Sequence, residues 1–92
     1  MYSFIGLGNP GNQYADTKHN AGFWVIDELC KRWNINLLPG DDEYVFAENK
    51  SKKIVLIKPS TGMNNSGIII KSLIKKWNLK LENLHIIFDD VD

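Results

Sequence analysis

The segment Gly6–Gly11, with the sequence GLGNPG, constrains the fold of this chain more than any other feature. It overlaps the end of an apolar run, Tyr2–Leu7, which is typical of a short buried strand. Three glycines and one proline within six residues cannot continue a helix or a strand ladder, because glycine costs backbone entropy and proline lacks a donor. The chain must therefore leave its first strand through a polar loop.

The pattern after this loop predicts a helix and then a hairpin. Apolar side chains recur at helical spacing from about Asn20 to Trp33, with charged residues on the opposite face. Pro39–Asp42 has the composition of a turn. Tyr44–Ala47 and Ile54–Ile57 follow as two short strands, and the polar residues between them predict a hairpin.

The second half predicts another helix and a last strand. A polar loop from Ser60 to Gly67 precedes an amphipathic helix that ends near Trp77. The β-branched residues at 68–70 would suit a strand nearly as well. Leu84–Phe88 predicts a buried strand that ends in acidic residues. The order β-α-β-β-α-β favours an α/β fold, with a mixed, mostly parallel sheet and flanking helices.

Length and composition are those of one globular domain. The chain has 92 residues, of which 43% are hydrophobic and 24% charged, so we expect a single core. No apolar run approaches the ~20 residues that a membrane span needs, and the N-terminus lacks the basic region of a signal peptide. The single cysteine excludes a disulfide framework and favours a cytoplasmic location. One cysteine and two histidines are too few for a convincing zinc site.

The net charge of zero hides an uneven distribution of charge. Between Asn49 and Leu81 the chain carries eight lysines and no acidic residue. Such a run most often forms a solvated face, but lysines on one surface can also neutralise phosphates. A non-catalytic RNA-binding module is therefore one alternative function.

Polar clusters follow the first, third and fourth predicted strands, which is where α/β sheets place their sites. His19 lies at the boundary between the first loop and its helix, and the sequence offers neither a nucleophile elbow nor a cysteine near a base. In a hydrolase, water would be the better nucleophile, with His19 as general base. A strand-end carboxylate at Asp89 or Asp90 could orient the imidazole. An asparagine of the loop at 63–67, or Asn9 in the first loop, could donate to an oxyanion.

A nucleotide-binding loop is a further alternative, because Gly6, Gly8 and Gly11 match G-x-G-x-x-G after a strand. The context does not fit, since no helix begins at the third glycine. The acidic residue expected ~20 residues later is also missing, and Lys31 stands there in a predicted helix.

Three segments together resemble bacterial-type peptidyl-tRNA hydrolases. The first contains FIGLGNPG, from Phe4, and TKHNAGF, which ends at Phe23; the second is KPSTGMNNSG at 58–67; the third is FDDVD at 88–92. Their order and spacing are far more specific than any one of them. The resemblance covers the whole chain but about half of the family's length. It implies that residues 1–92 are the N-terminal portion of one larger α/β domain.

This resemblance implies hydrolysis of the ester that joins a peptide to the terminal ribose of tRNA, which recycles peptidyl-tRNA released prematurely from ribosomes. It makes His19 the general base and Asp89 the group that orients it. Asn9 would recognise the N-blocked peptide, and Asn64 would position water or substrate and support the oxyanion. The other substrate or tRNA-binding positions would be Tyr14, Asn20, Gly62 and Met63. No metal or organic cofactor and no membrane is implied, and the full-length form would be a monomer.

The chain departs from the family pattern at three points. Gly62 stands where the family usually has an aromatic residue, which removes a stacking surface for the tRNA end. Lys18 replaces the usual arginine and loses its bidentate fork. The chain stops at Asp92, before the family's G-H-N-G motif and its C-terminal helical lid. We therefore expect little or no activity from these 92 residues alone.

Overall fold

A computed structural model describes residues 1–8, 21–41, 43–60 and 66–88. It confirms the two predicted helices and the four predicted strands, and it adds a two-residue strand and one turn of 3₁₀ helix. The elements in chain order are β1 (Tyr2–Gly6), α1 (Ala21–Trp33), β2 (Leu38–Pro39), β3 (Tyr44–Asn49), β4 (Ile54–Pro59), α2 (Ser66–Trp77), the 3₁₀ helix (Leu81–Asn83) and β5 (Leu84–Ile87).

The five strands form one mixed sheet in the order β2-β3-β4-β1-β5. β1 pairs in parallel with β4 on one side and with β5 on the other. β3 pairs antiparallel with both β2 and β4. The connection from β4 through α2 to β5 therefore passes over β1, as in other parallel crossovers. The predicted α/β fold with a mixed sheet is confirmed.

The helices cover opposite faces of the sheet, because successive strand side chains point to opposite sides. Ile5 and Ile57 pack with Leu73 of α2 in one apolar cluster. Leu56 packs with Ile26 of α1 in the other cluster. All five side chains are fully buried, so two separate layers of core hold β1 and β4 at the centre of the fold.

Both helices end at an asparagine in the left-handed conformation, Asn34 and Asn78, each with φ 53°. The N–H of Ile35 donates to the carbonyl of Cys30 at 3.0 Å, and that of Leu79 donates to the carbonyl of Ile74 at 2.9 Å. These bonds have the pattern of the Schellman motif, which satisfies carbonyls at a helix end. Asn34 therefore ends α1 as its sequence position predicts.

The last strand is the one element whose predicted environment is wrong. β5 pairs only with β1 in the described sheet and forms its outer edge. His85 and Ile86 are exposed, and Phe88 follows the strand with 58% of its surface exposed. An apolar run indicates a strand, but it does not show whether that strand has one neighbouring strand or two.

A polar network joins the turn after β2 to the end of α2. The Tyr44 hydroxyl donates to Asp41 Oδ1 at 3.0 Å, and Trp77 Nε1 donates to the Tyr44 oxygen at 3.2 Å. Lys76 Nζ donates to the same Asp41 oxygen at 3.1 Å. The Lys76 hydrogen bond, with help from Tyr44, holds the pKa of Asp41 below its ordinary value. These contacts fix the far end of α2 against β3.

Candidate active site

The carboxyl ends of three neighbouring parallel strands lie together at one edge of the sheet. In the register, Ile5 of β1 lies opposite Ile57 of β4, and Gly6 of β1 lies opposite Ile87 of β5. The segments that hold the predicted site residues come next in the chain: residues 9–20 after β1, 61–65 after β4 and 89–92 after β5. All three therefore leave from one edge, where open α/β sheets bind ligands.

The predicted site residues themselves lie outside the described residues, as does Asp90. The described residues that border them are Gly8, Ala21, Ser60, Ser66 and Phe88. The structure therefore establishes which strands and helices carry the site segments, and the roles of the side chains stay predictions. The eight predicted positions are Asn9, Tyr14, His19, Asn20, Gly62, Met63, Asn64 and Asp89.

The first turn of α1 rests directly on this edge of the sheet. The N–H of Leu7 donates to the carbonyl of Ile87 at 2.8 Å, which extends the pairing of β1 with β5 by one rung. Gly22 is buried against that rung. The end of β1, the end of β5 and the start of α1 therefore meet at one point, and each leads into a segment with predicted site residues.

An ion pair holds α1 against β4 near the same edge. Lys58 Nζ donates to Asp27 Oδ1 at 2.8 Å, and it lies 5.1 Å from the centre of the Phe23 ring. Sequence reasoning missed this contact, because the partners are far apart in the chain. The only signal was local: Lys58 interrupts an apolar strand on the face that α1 covers. Such a partly exposed pair contributes little stability, but it orients the first turns of α1.

The single cysteine is a core residue and no nucleophile. Cys30 is buried in the cluster between α1 and the sheet. Burial raises the pKa of its thiol, and the nearby Asp27 raises it further, against a smaller opposite effect of Lys58. A thiol with a raised pKa stays protonated near neutral pH and is a poor nucleophile.

His85 is the one histidine among the described residues, and it is not at the carboxyl edge. It lies opposite Phe4 in the register, and the two rings stack with their centres 4.9 Å apart. The Tyr2 ring also stacks with the His85 ring, with their centres 6.3 Å apart. These ring contacts are those of a structural residue, although His85 is exposed and its strand forms an edge of the described sheet.

Three of the eight lysines between Asn49 and Leu81 lie at separate places in the fold. Lys53 belongs to the turn between β3 and β4, where its carbonyl accepts from the N–H of Tyr2 at the opposite end of β1. Lys58 pairs with Asp27, and Lys76 pairs with Asp41. This dispersal over two ends of the sheet does not favour an RNA-binding module built on the lysines alone.

The described part of the chain holds no group of three or more histidine, cysteine, aspartate or glutamate residues that could bind a metal ion. Within the same ranges, no helix has the length and apolar character that crossing a membrane requires.

Comparison with known proteins identifies the family. A family profile described as peptidyl-tRNA hydrolase matches residues 3–92. The chain belongs to the peptidyl-tRNA hydrolase family. Its fold is also that of a solved peptidyl-tRNA hydrolase from Acinetobacter baumannii, with a TM-score of 0.87 at 32% identity over the whole chain. The resemblance seen in the three sequence segments is therefore confirmed.

Individual relatives agree with this family assignment. Peptidyl-tRNA hydrolases from Geobacillus kaustophilus and Wolbachia pipientis are each 43% identical over 94 aligned positions that include the whole chain, and that from Finegoldia magna is 46% identical. The chain spans 50%, 52% and 50% of these relatives, and 48% of the Acinetobacter baumannii structure. It therefore corresponds to about half the length of the relatives that it matches.

Proposed function

We propose that the natural protein containing these 92 residues, called the full-length protein below, hydrolyses the ester that joins a peptide to tRNA. One observation carries this proposal: three segments with the family's sequence motifs leave β1, β4 and β5 from the same edge of the sheet. Family membership supports it, because the named relatives are peptidyl-tRNA hydrolases. In this proposal residues 1–92 are the N-terminal portion of one α/β domain in a monomeric, cytoplasmic enzyme.

His19 is the general base in the proposed mechanism. Its neutral imidazole takes a proton from water while the water oxygen attacks the ester carbonyl carbon. Asp89 accepts a hydrogen bond from the other ring nitrogen, which fixes the tautomer and stabilises the imidazolium. The Asn64 amide donates to the oxyanion of the tetrahedral intermediate. The intermediate then breaks its bond to the ribose oxygen, which takes the proton from the His19 imidazolium and leaves as a hydroxyl group.

The remaining predicted residues serve recognition in this proposal. Asn9 binds the blocked amino end of the peptide, and this contact distinguishes peptidyl-tRNA from plain aminoacyl-tRNA. The other substrate or tRNA-binding positions are Tyr14, Asn20, Gly62 and Met63, with Tyr14 near the tRNA end. Every step uses water and protein side chains, so the mechanism requires no metal or organic cofactor.

The test uses the full-length protein with an N-acetylated aminoacyl-tRNA as substrate. His19→Ala should lower kcat by about 10²–10⁴-fold, the usual contribution of a general base. Binding of uncharged tRNA should stay within about threefold, a change below 1 kcal/mol. Hydrolysis is followed by release of the N-acetyl amino acid, and binding by filter retention or fluorescence anisotropy.

His85→Ala is the matched control, because His85 lies on β5 with its ring stacked on Phe4 and Tyr2. This variant should keep the kcat of the unaltered protein. Equal loss of tRNA binding and turnover in His19→Ala would identify His19 as a structural residue. An unaltered full-length protein that does not hydrolyse the substrate would contradict the proposed function as a whole.

A further inference from the structure

We propose that Gly22 is a positioning residue for ester hydrolysis. Because glycine has no side chain, α1 can lie directly on the last hydrogen bond between β1 and β5. This inference rests on the proposed function, since Gly22 would act through His19, three residues earlier in the chain. Gly22 takes no part in the chemistry itself, and its proposed role depends on a contact between backbone atoms.

The space around Gly22 is closed by backbone atoms. A Cβ added to Gly22 would lie 2.4 Å from the carbonyl oxygens of Leu7 and Ile87, and 2.5 Å from the Leu7 nitrogen. Real Cβ atoms essentially never approach other atoms closer than 3.0 Å. The Leu7 N–H and the Ile87 carbonyl are also the donor and acceptor of the 2.8 Å hydrogen bond at this point. A side chain at position 22 must therefore break that bond or lift α1 away from the sheet.

On the strand side of the same contact, Gly6 of β1 packs closely against Gly22. A Cβ added to Gly6 would lie 2.3 Å from the Gly22 carbonyl oxygen and 2.6 Å from Cγ1 of Ile26. Both glycines are buried. Since the nearest neighbour of each is backbone, a rotamer change cannot relieve the overlap. Two independent positions on two elements are therefore restricted to glycine by one close approach of α1 to β1.

The second helix shows that this restriction is specific to α1. Gly67 is the second residue of α2, as Gly22 is the second residue of α1. A Cβ added to Gly67 would meet nothing within 4 Å, and Gly67 is exposed. Gly22 and Gly67 therefore have the same place in their helices, but Gly22 is closely packed and Gly67 is not. Gly67 is thus a control for the effect of alanine in a first helical turn.

The junction at Gly22 connects the proposed catalytic groups by short lengths of chain. Covalent geometry limits the reach to ~3.6 Å per residue. His19 is three residues before Gly22, Asp89 is two residues after Ile87, and Asn9 is two residues after Leu7. Lifting α1 by about 1 Å would move the base relative to its carboxylate partner, and a misplacement of that size can cost about 10² in rate.

The experiment compares Gly22→Ala with Gly67→Ala in the full-length protein, with hydrolysis of N-acetylated aminoacyl-tRNA as the assay. Gly22→Ala should lower kcat by about 10²-fold while KM changes by less than about threefold. This split is expected because substrate binding depends on contacts spread over a large surface, whereas turnover depends on the base and its partner. Gly67→Ala should keep both constants. Circular dichroism and thermal melts establish that each variant is folded at the assay temperature.

Gly6→Ala is the second variant, because it overlaps the same contact from the strand side. It should reproduce the loss in kcat with little change in KM. The proposal is wrong if a folded Gly22→Ala protein keeps its kcat, or if KM rises as much as kcat falls. It is also wrong if neither Gly22→Ala nor Gly6→Ala folds, since the contact would then serve stability alone. Hydrolysis by the unaltered protein tests the proposed function separately.

Discussion

At the scale of single residues, Ser3 departs from the usual chemistry of a core. It is 1% exposed in the middle of the sheet, where β1 pairs it with Val55 on one side and Leu84 on the other. Among the described residues, its hydroxyl oxygen has no hydrogen-bond partner. A buried hydroxyl without a partner costs about 1–3 kcal/mol of desolvation, so we expect Ser3 to reduce the stability of the fold.

Replacement of that hydroxyl should stabilise the protein. Ser3→Ala should raise the free energy of unfolding by about 1 kcal/mol, as measured by urea denaturation of the full-length protein. Ser72→Ala is the control, because Ser72 is only half-buried on α2, and its effect should stay within about 0.5 kcal/mol. A loss of stability in Ser3→Ala would mean that the hydroxyl has a partner in the full-length protein.

At the scale of elements, α2 shows how packing overrides local preference. Its three consecutive isoleucines favour a strand by intrinsic propensity, yet they are the third to fifth residues of a helix. Ile68 is 75% exposed and Ile69 only 7% exposed, while Ile70 packs at the margin of the same core cluster as Ile69. The helical periodicity of the apolar residues therefore decides the structure, because it puts Ile69 and Leu73 on one buried face.

Two neighbouring isoleucines should consequently respond differently to the same substitution. Ile69→Ala should lower the free energy of unfolding by about 2–5 kcal/mol, the usual cost of a cavity in a core. Ile68→Ala should change it by less than about 0.5 kcal/mol, because the side chain is exposed and alanine has the higher helix propensity. Urea denaturation of both variants gives the comparison. Similar losses in both would show that α2 buries a different face.

At the scale of the whole molecule, the described sheet has one well-protected edge and one open edge. β2 closes one side with two residues that include Pro39, which makes it a poor template for further pairing. β5 forms the other side with four residues and an exposed Ile86. Among the described residues, β5 has no strand on its outer side, so another strand can pair with this edge. The relatives are about twice as long as this chain.

The 92 residues alone should therefore show little or no hydrolysis of N-acetylated aminoacyl-tRNA. The expected reason is physical: one of the three site segments follows β5, and β5 has one hydrogen-bonded neighbour in the described sheet. The measurement compares kcat/KM of the 92-residue chain with that of the full-length protein at equal concentration. A rate near that of the full-length protein would contradict this prediction.

The residue types of the candidate site can be predicted from the sequence because they occur in short local motifs. The positions of His19, Asn9 and Asp89 at the boundaries of predicted elements suggested a base, an amide and a carboxylate after strand ends. The sequence did not reveal the pair of Lys58 with Asp27 or the contact of Gly6 with Gly22. Both depend on how α1 crosses the sheet, and a linear pattern carries no distance between its segments.

Local sequence patterns are enough to predict the kind and order of the main elements and the family, because periodicity and motifs are local properties. Three features come from the packed fold alone: β1 lies between β4 and β5, β5 is an edge strand among the described residues, and Leu38–Pro39 pairs with β3. Strand neighbours are chosen by hydrogen bonds and packing between distant segments. Those interactions bring the carboxyl ends of β1, β4 and β5 to one edge of the sheet and place the first turn of α1 against it.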